Sequence, residues 1–212
     1  MRIRNRPGDT GEADPAVAAA LAAYADGTGS EHEVLTVLAS SRLLVPVVAQ
    51  ATAANDDGTE KETEMALPTL VGKDGRAAVI AFTGTDTVHR WNAAARPVPF
   101  PAARVWEYAK HEASAAVIDV AGPVPIVVEG ARLAALAAGE APPRAHEDPD
   151  VHAQIAAVTS EFTLEPGPPG TDFMVTLRMQ DTAAAQAAAQ EIGGRVRAAG
   201  RFRRGVGIRI SP

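Results

Sequence analysis

LPTLVGKDGRAAVIAFTGTDTVHRW, Leu67 to Trp91, is the stretch whose punctuation decides the fold. Met65–Val71 reads as a strand and Lys73-Asp74-Gly75-Arg76 as a tight turn, because an Asp-Gly pair supplies the positive φ that hairpin turns need. Ala77–Phe82 then returns antiparallel, and Thr83-Gly84-Thr85-Asp86 opens a short helix through Val88 and Trp91. A hairpin that runs straight into a helix predicts an α/β (α+β) fold, with a mixed or largely antiparallel sheet flanked by helices.

Upstream, two helices are expected. Asp14-Pro15 has the form of a cap and a first helical position, and an Ala-rich run continues to Tyr24 before Gly27 stops it. Ser30-Glu31-His32-Glu33 spells a capping box, followed by the apolar face of Val34, Leu35 and Leu38. Leu43–Ala49 is continuously apolar, which suggests a strand covered on both sides, while Pro46 places it at an edge or a strand end. A polar loop, Asn55–Gly58, leads to the hairpin.

Downstream, Arg96-Pro97-Val98-Pro99-Phe100-Pro101 is too proline-rich for an interior strand and is expected to run along an edge. A helix over Ala102–Glu112, strands over Ala115–Val120 and Ile126–Glu129, and a helix over Gly130–Ala138 follow. Gly139–Asp150, GEAPPRAHEDPD, is a linker by composition. Ile155–Glu165 and Phe173–Met179 then read as a hairpin, Thr182–Ala199 as helical in its first half and weakened by Gly193-Gly194, and Gly205–Ile210 as a last strand. That strand is expected to pair with Phe173–Met179, its sheet backed by the Thr182–Ala199 helix and its other face against the first domain or a second subunit. The expected organisation is a first domain over 1–140, a linker over 141–150 and a small C-terminal β-β-α-β domain over 151–212.

Composition narrows the functional classes. A net charge of -6 argues against general affinity for nucleic acid or anionic membranes. The chain has no cysteine, which removes thiol nucleophiles, disulfides and thiolate metal sites. No run approaches the ~20 apolar residues of a membrane span, and Met1–Thr10 lacks an apolar signal core. A cytoplasmic protein is the expectation. Against the acidic balance, Glu191–Pro212 holds six arginines and the single Glu191. This tail reads either as a solvated end docked on the acidic body or, through Arg201, Arg203 and Arg204, as a patch for an anion or an acidic partner.

The segments AFTGTDTVHRW (Ala81 to Trp91) and IDVAGPVPIVVEG (Ile118 to Gly130), in this element order, resemble the SseB family, named for enhanced serine sensitivity. The resemblance runs from about Asp14 to Ala138 and implies a fold without implying a reaction. The Ala-, Arg- and Pro-rich composition is similar to that of high-GC actinobacteria.

Catalytic patterns are absent from the sequence. His32, His89, His111, His146 and His152 show no metal spacing, Gly72-Lys73-Asp74-Gly75 lacks the phosphate-loop spacing, and no Gly-x-Ser-x-Gly elbow occurs. Glu60, Glu62 and Glu64 share one face of an extended strand and read as solvated. No catalytic residue, metal ligand or cofactor is expected. Phe82, Thr83, Gly84 and Trp91 admit two readings: Thr83 or Thr85 caps the helix while Trp91 plugs the core, or Thr83, Gly84 and Trp91 line a groove, with Pro97 and Pro99 beside it, where a peptide or partner docks. The expected function is non-catalytic: an interaction or regulatory module with an unknown protein partner, with a homo-oligomer as a further option. Two rival readings are a small-molecule site or enzyme in the inter-domain cleft, and nucleic-acid binding through the Arg-rich tail, where Phe202 alone is available for stacking.

Overall fold

The computed structural model describes residues 10–47, 67–73 and 75–211. The Asn55–Gly58 loop, the Glu60, Glu62 and Glu64 set, the start of the Met65 strand and Asp74 lie outside them. Packing gathers the described residues into two compact units, one of Met1–Asp14 with Ser41–Glu129, the other of Pro15–Ser40 with Gly130–Pro212. The 1–140 and 151–212 division does not coincide with these units. The first two helices pack with the C-terminal residues, and residues 141–150 lie inside the second unit.

That second unit begins with α1 (Pro15–Ala25) and α2 (Glu31–Ala39). The Ser30 capping box is present in full: the Glu33 amide donates to the Ser30 hydroxyl, and the Ser30 amide donates to Glu33 Oε2 at 2.6 Å. Both orphan donors are thereby satisfied, and Val34, Leu35 and Leu38 are buried on the opposite face.

The first unit holds β1 (Arg42–Val47), β2 (Thr69–Val71), β3 (Ala77–Ala81), α3 (Thr85–Trp91), β4 (Arg96–Pro101), α4 (Ala102–Glu112), β5 (Ala115–Ile118) and β6 (Ile126–Glu129). A four-stranded sheet runs β2-β3-β5-β6, with β3 and β5 parallel and the other pairs antiparallel. β1 and β4 form a separate antiparallel ribbon, joined to this sheet by a bridge between Leu44 and Phe82. The continuous burial of Leu43 through Pro46 matches a strand covered on both sides. α4 presents Ala102, Val105, Trp106 and Ala109 to β3 and β5, the i, i+3, i+4, i+7 stripe of an amphipathic helix.

Register explains the prolines. Leu44 exchanges both backbone bonds with Phe82, at 2.7 and 2.8 Å, so its polar groups face away from β4. Leu43 and Val45 must then face β4, opposite Phe100 and Val98. The nitrogens of Pro97, Pro99 and Pro101 therefore fall on the outer edge, which has carbonyl acceptors there and no N–H donor. The edge position foreseen for this segment is correct, and the edge is closed to a further strand.

The second unit resumes with α5 (Gly130–Ala137), α6 (Pro149–Ala156), β7 (Phe162–Pro166), β8 (Phe173–Arg178), α7 (Thr182–Ala199) and β9 (Val206–Ser211). Its sheet runs β7-β8-β9, antiparallel then parallel, which is the expected β-β-α-β unit. α6 is a correction. Pro149 and Asp150, the end of the expected linker, and Ile155 and Ala156, the start of the expected strand, belong to one helix, capped by Asp148 with Pro149 at its first position. This is the same Asp-Pro signal that announces α1. Val151 and Ile155 from α6 join Phe173, Val175, Leu177, Ile192 and Val196 in one core. α7 also continues through Gly193-Gly194 to Ala199, because Ile192 and Val196 are buried on either side of the pair. No described helix is long and apolar enough to cross a membrane.

Candidate functional site

In the first unit, the C-terminal ends of parallel strands β3 and β5 converge on Asp119. This residue is 3 % exposed and has a φ of 52°, a left-handed conformation that Asp tolerates better than most side chains. Its Oδ1 accepts from the Thr83 amide at 2.9 Å and lies 2.7 Å from the Thr87 hydroxyl, and its Oδ2 accepts from the Thr83 hydroxyl at 2.6 Å. Neither Thr83 nor Thr85 caps α3. Gly84 occupies the cap position without a side-chain bond, and the carboxylate of Asp119 holds the turn together instead.

A strap crosses this turn. Gly11 O accepts from both the amide and the hydroxyl of Thr85, at 2.8 and 2.9 Å. The Arg42 guanidinium donates to Glu12 O at 2.6 Å and to Thr83 O at 3.2 Å, so it clamps strap and turn together. Two glycines make the approach possible. A Cβ on Gly11, at φ +80°, would stand 2.3 Å from Thr85 Oγ1, and one on Gly84 would stand 3.2 Å from the Ala13 nitrogen.

The foreseen groove residues are thus placed as follows. Phe82, Thr83 and Gly84 are buried. Trp91 is half-buried with its ring 5.8 Å from that of Phe82, packed on the core of Leu44, Ile80 and Val88. Pro97 and Pro99 lie on β4, opposite Pro46 and Leu44. The fully buried tryptophan is Trp106, not Trp91, and its Nε1 has no hydrogen-bond partner among the described residues.

In the second unit the Arg-rich tail turns inward. Arg201 donates to Glu31 Oε2 at 3.0 Å and to Asp148 Oδ2 at 2.7 Å, while Arg132 meets Glu31 Oε1 at 2.6 Å. Arg132, Asp148 and Glu31 are each under a tenth exposed. Burial alone would lower the Arg201 guanidinium, but Glu31 and Asp148 hold it above its ordinary value. Arg203 lies over the Tyr24 ring at 5.4 Å, and Arg204 donates to Thr28 O and approaches Glu33 at 3.7 Å. Two of the three arginines of the expected patch, Arg201 and Arg204, are therefore engaged with the chain's own acceptors, and Arg203 stacks on a ring.

Beside this cluster is a cleft of about 200 Å³ lined by His32, Arg144, His146, Asp172, Phe202 and Arg204, among others. Burial raises the Asp172 carboxyl above its ordinary value, against the amide donors of Arg204 and Gly205. Glu33 at the rim is held below its ordinary value, chiefly by the Ser30 amide. The two have opposite linkage. The Glu33 contribution is present above its unfolded pKa and is lost as pH falls through the depressed one. That of Asp172 is present below its unfolded pKa and is lost as pH rises through the raised one. Urea midpoints from about pH 3 to about pH 7 should show Glu33→Gln becoming more destabilising relative to wild type as pH rises, and Asp172→Asn less so. Parallel slopes for the two variants would contradict both assignments. No group of three or more His, Asp or Glu among the described residues is placed to hold a metal ion.

A family model described as the SseB protein N-terminal domain matches residues 17–135, more than half of the chain. The chain belongs to the SseB family. No curated protein and no solved structure gave a match to it. The SseB match takes in most of α1 through most of α5, so it includes Glu31, Arg132 and Asp119. Asp148 and Arg201 lie beyond it, on residues that complete the same buried charge cluster.

Proposed function

We propose that this SseB chain is a non-catalytic interaction module that accepts an extended strand of a partner protein on β2. The observation that carries this reading is an open edge. The Ile80 amide donates to Pro68 O and the Gly72 amide to Arg76 O, so residues 68, 70 and 72 face β3. Thr69 and Val71 then turn their backbone groups outward, and among the described residues no strand pairs with that side. Val71 is 71 % exposed and Leu70 37 %, an apolar lip beside backbone groups that no described strand pairs. Strand addition uses such an edge, with main-chain bonds for affinity and alternate side chains for specificity. β4 offers no such edge, because its prolines strip it of donors. A cysteine-free, acidic composition supports action in a bacterial cytoplasm.

Val71→Pro tests the reading, because it removes an outward N–H without touching the bonds to β3. Capture from the native host should return the same partner reproducibly with the wild type and lose it roughly tenfold with Val71→Pro, the effect of about one charge-free hydrogen bond and its strand register. Capture indifferent to the substitution, or no reproducible partner, would remove the support.

A second reading, a small-molecule site, is favoured by the cleft at His32, His146 and Asp172. Its volume of about 200 Å³ falls below the ~300–1,000 Å³ of ordinary ligand pockets, which restricts any occupant to a molecule not much larger than benzene and places this reading second.

A further inference from the structure

The turn at Thr83–Thr85 is covered by a piece of the chain that behaves as a bound peptide would. Along Gly11-Glu12-Ala13-Asp14 the residues alternate: Gly11 and Ala13 are half-buried, Glu12 and Asp14 exposed. The inward positions are the two smallest residues available. The strap's carbonyls at 11 and 12 are received by donors on separate elements, Thr85 at the start of α3 and Arg42 at the start of β1. What holds the strap is therefore backbone recognition with a steric filter for small side chains. This is how a groove reads an extended peptide of stated pattern. The place also fits, since open α/β sheets receive ligands outside the carboxyl ends of their parallel strands, here β3 and β5.

From this we infer that Arg42, Thr83, Gly84 and Thr85 form a peptide-binding groove which residues 11–13 occupy in cis, and that its partner is an extended segment of another protein with glycine and a small residue two positions apart. This rests on the interaction reading of the chain but not on β2, so the two can fail separately. Displacement of the strap opens the groove. Because the strap is tethered, it competes at an effective concentration in the millimolar range, and a free peptide must overcome that.

Hydrogen exchange of the Thr85 amide in the full chain is the test, with the synthetic peptide TGEADPA, the sequence of residues 10–16, as probe. Gly11→Ala in the chain forces a side chain into the left-handed region and against Thr85 Oγ1, which weakens the strap and leaves the groove intact. Thr85 exchange should accelerate roughly tenfold in this variant, and the peptide at about 1–10 mM should restore protection, while a peptide carrying the same Gly→Ala change should not. Unchanged Thr85 exchange in the variant, or no reprotection by the peptide, overturns the proposal. Loss of protection throughout β3 and α3 together also overturns it, because the strap would then be part of the core. Repeating the exchange with Val71→Pro must give the wild-type result, which separates this site from the β2 edge.

Discussion

Arg132→Ala is expected to lower the unfolding free energy of the second unit by about 3–5 kcal/mol, the range for leaving a buried charge without its partner. The Arg132 side chain is 2 % exposed and sits 2.6 Å from Glu31. Its removal leaves the two carboxylates of Glu31 and Asp148, 10 % and 0 % exposed, to share Arg201 alone. Water cannot compensate at that depth, so the penalty is one of desolvation more than of lost attraction. The double variant Arg132→Ala with Glu31→Ala should cost clearly less than the sum of the two singles, because it removes a charge together with its opposite. Urea unfolding followed by a probe in the second unit measures both. Additive losses, or a single loss under about 1 kcal/mol, would show that the pair is solvated in solution.

Asp119→Ala is expected to cost the first unit about 3–4 kcal/mol, as the Thr83 amide and hydroxyl lose a buried acceptor, the Thr87 hydroxyl keeps only Gly84 O, and alanine must adopt a positive φ. The substitution series separates the two causes. Asn keeps one acceptor oxygen for the Thr83 amide and the Thr87 hydroxyl and tolerates the left-handed backbone, so Asp119→Asn should be mildest. Asp119→Gly relieves the backbone while losing every bond, and should fall between. The order Ala, Gly, Asn in decreasing loss is checked by thermal and denaturant unfolding. Gly as stable as wild type would mean that the backbone conformation, not the carboxylate, dominates.

Legibility in the sequence followed the range of the interaction. The capping box at Ser30, the hairpin at Gly75, the edge placement of Pro97–Pro101 and the C-terminal β-β-α-β order rest on residues within a few positions of one another, and each was readable. The helix at Pro149–Ala156 was also local, and its Asp148-Pro149 start was hidden only by the surrounding proline and charge. The charge cluster could not be read: Glu31 meets Arg132 across 101 residues and Arg201 across 170. Asp119 stood in an apolar strand next to a turn, a carboxylate where none is comfortable. That was a signal of burial with partners, but nothing in the sequence named Thr83 and Thr87 as those partners. The strap was invisible for the same reason, since Gly11 acts through its carbonyl on Thr85, 74 residues away.

The split of the second unit into Pro15–Ser40 and Gly130–Pro212 also sets an order of events during synthesis. Residues 41–129, which make up most of the first unit, are contiguous and leave the ribosome with their own core in hand. α1 and α2 emerge earlier and pack on each other, but the charge cluster at Glu31 is complete only when Arg132, Asp148 and finally Arg201 have been made. The thermodynamic penalty for so long a closure is small, since each doubling of loop length costs only about 0.6 kcal/mol. The consequence is one of time. About a hundred residues are added at ~5–20 per second between α2 and Arg132, so the first helices to be translated belong to the unit whose chain is completed last.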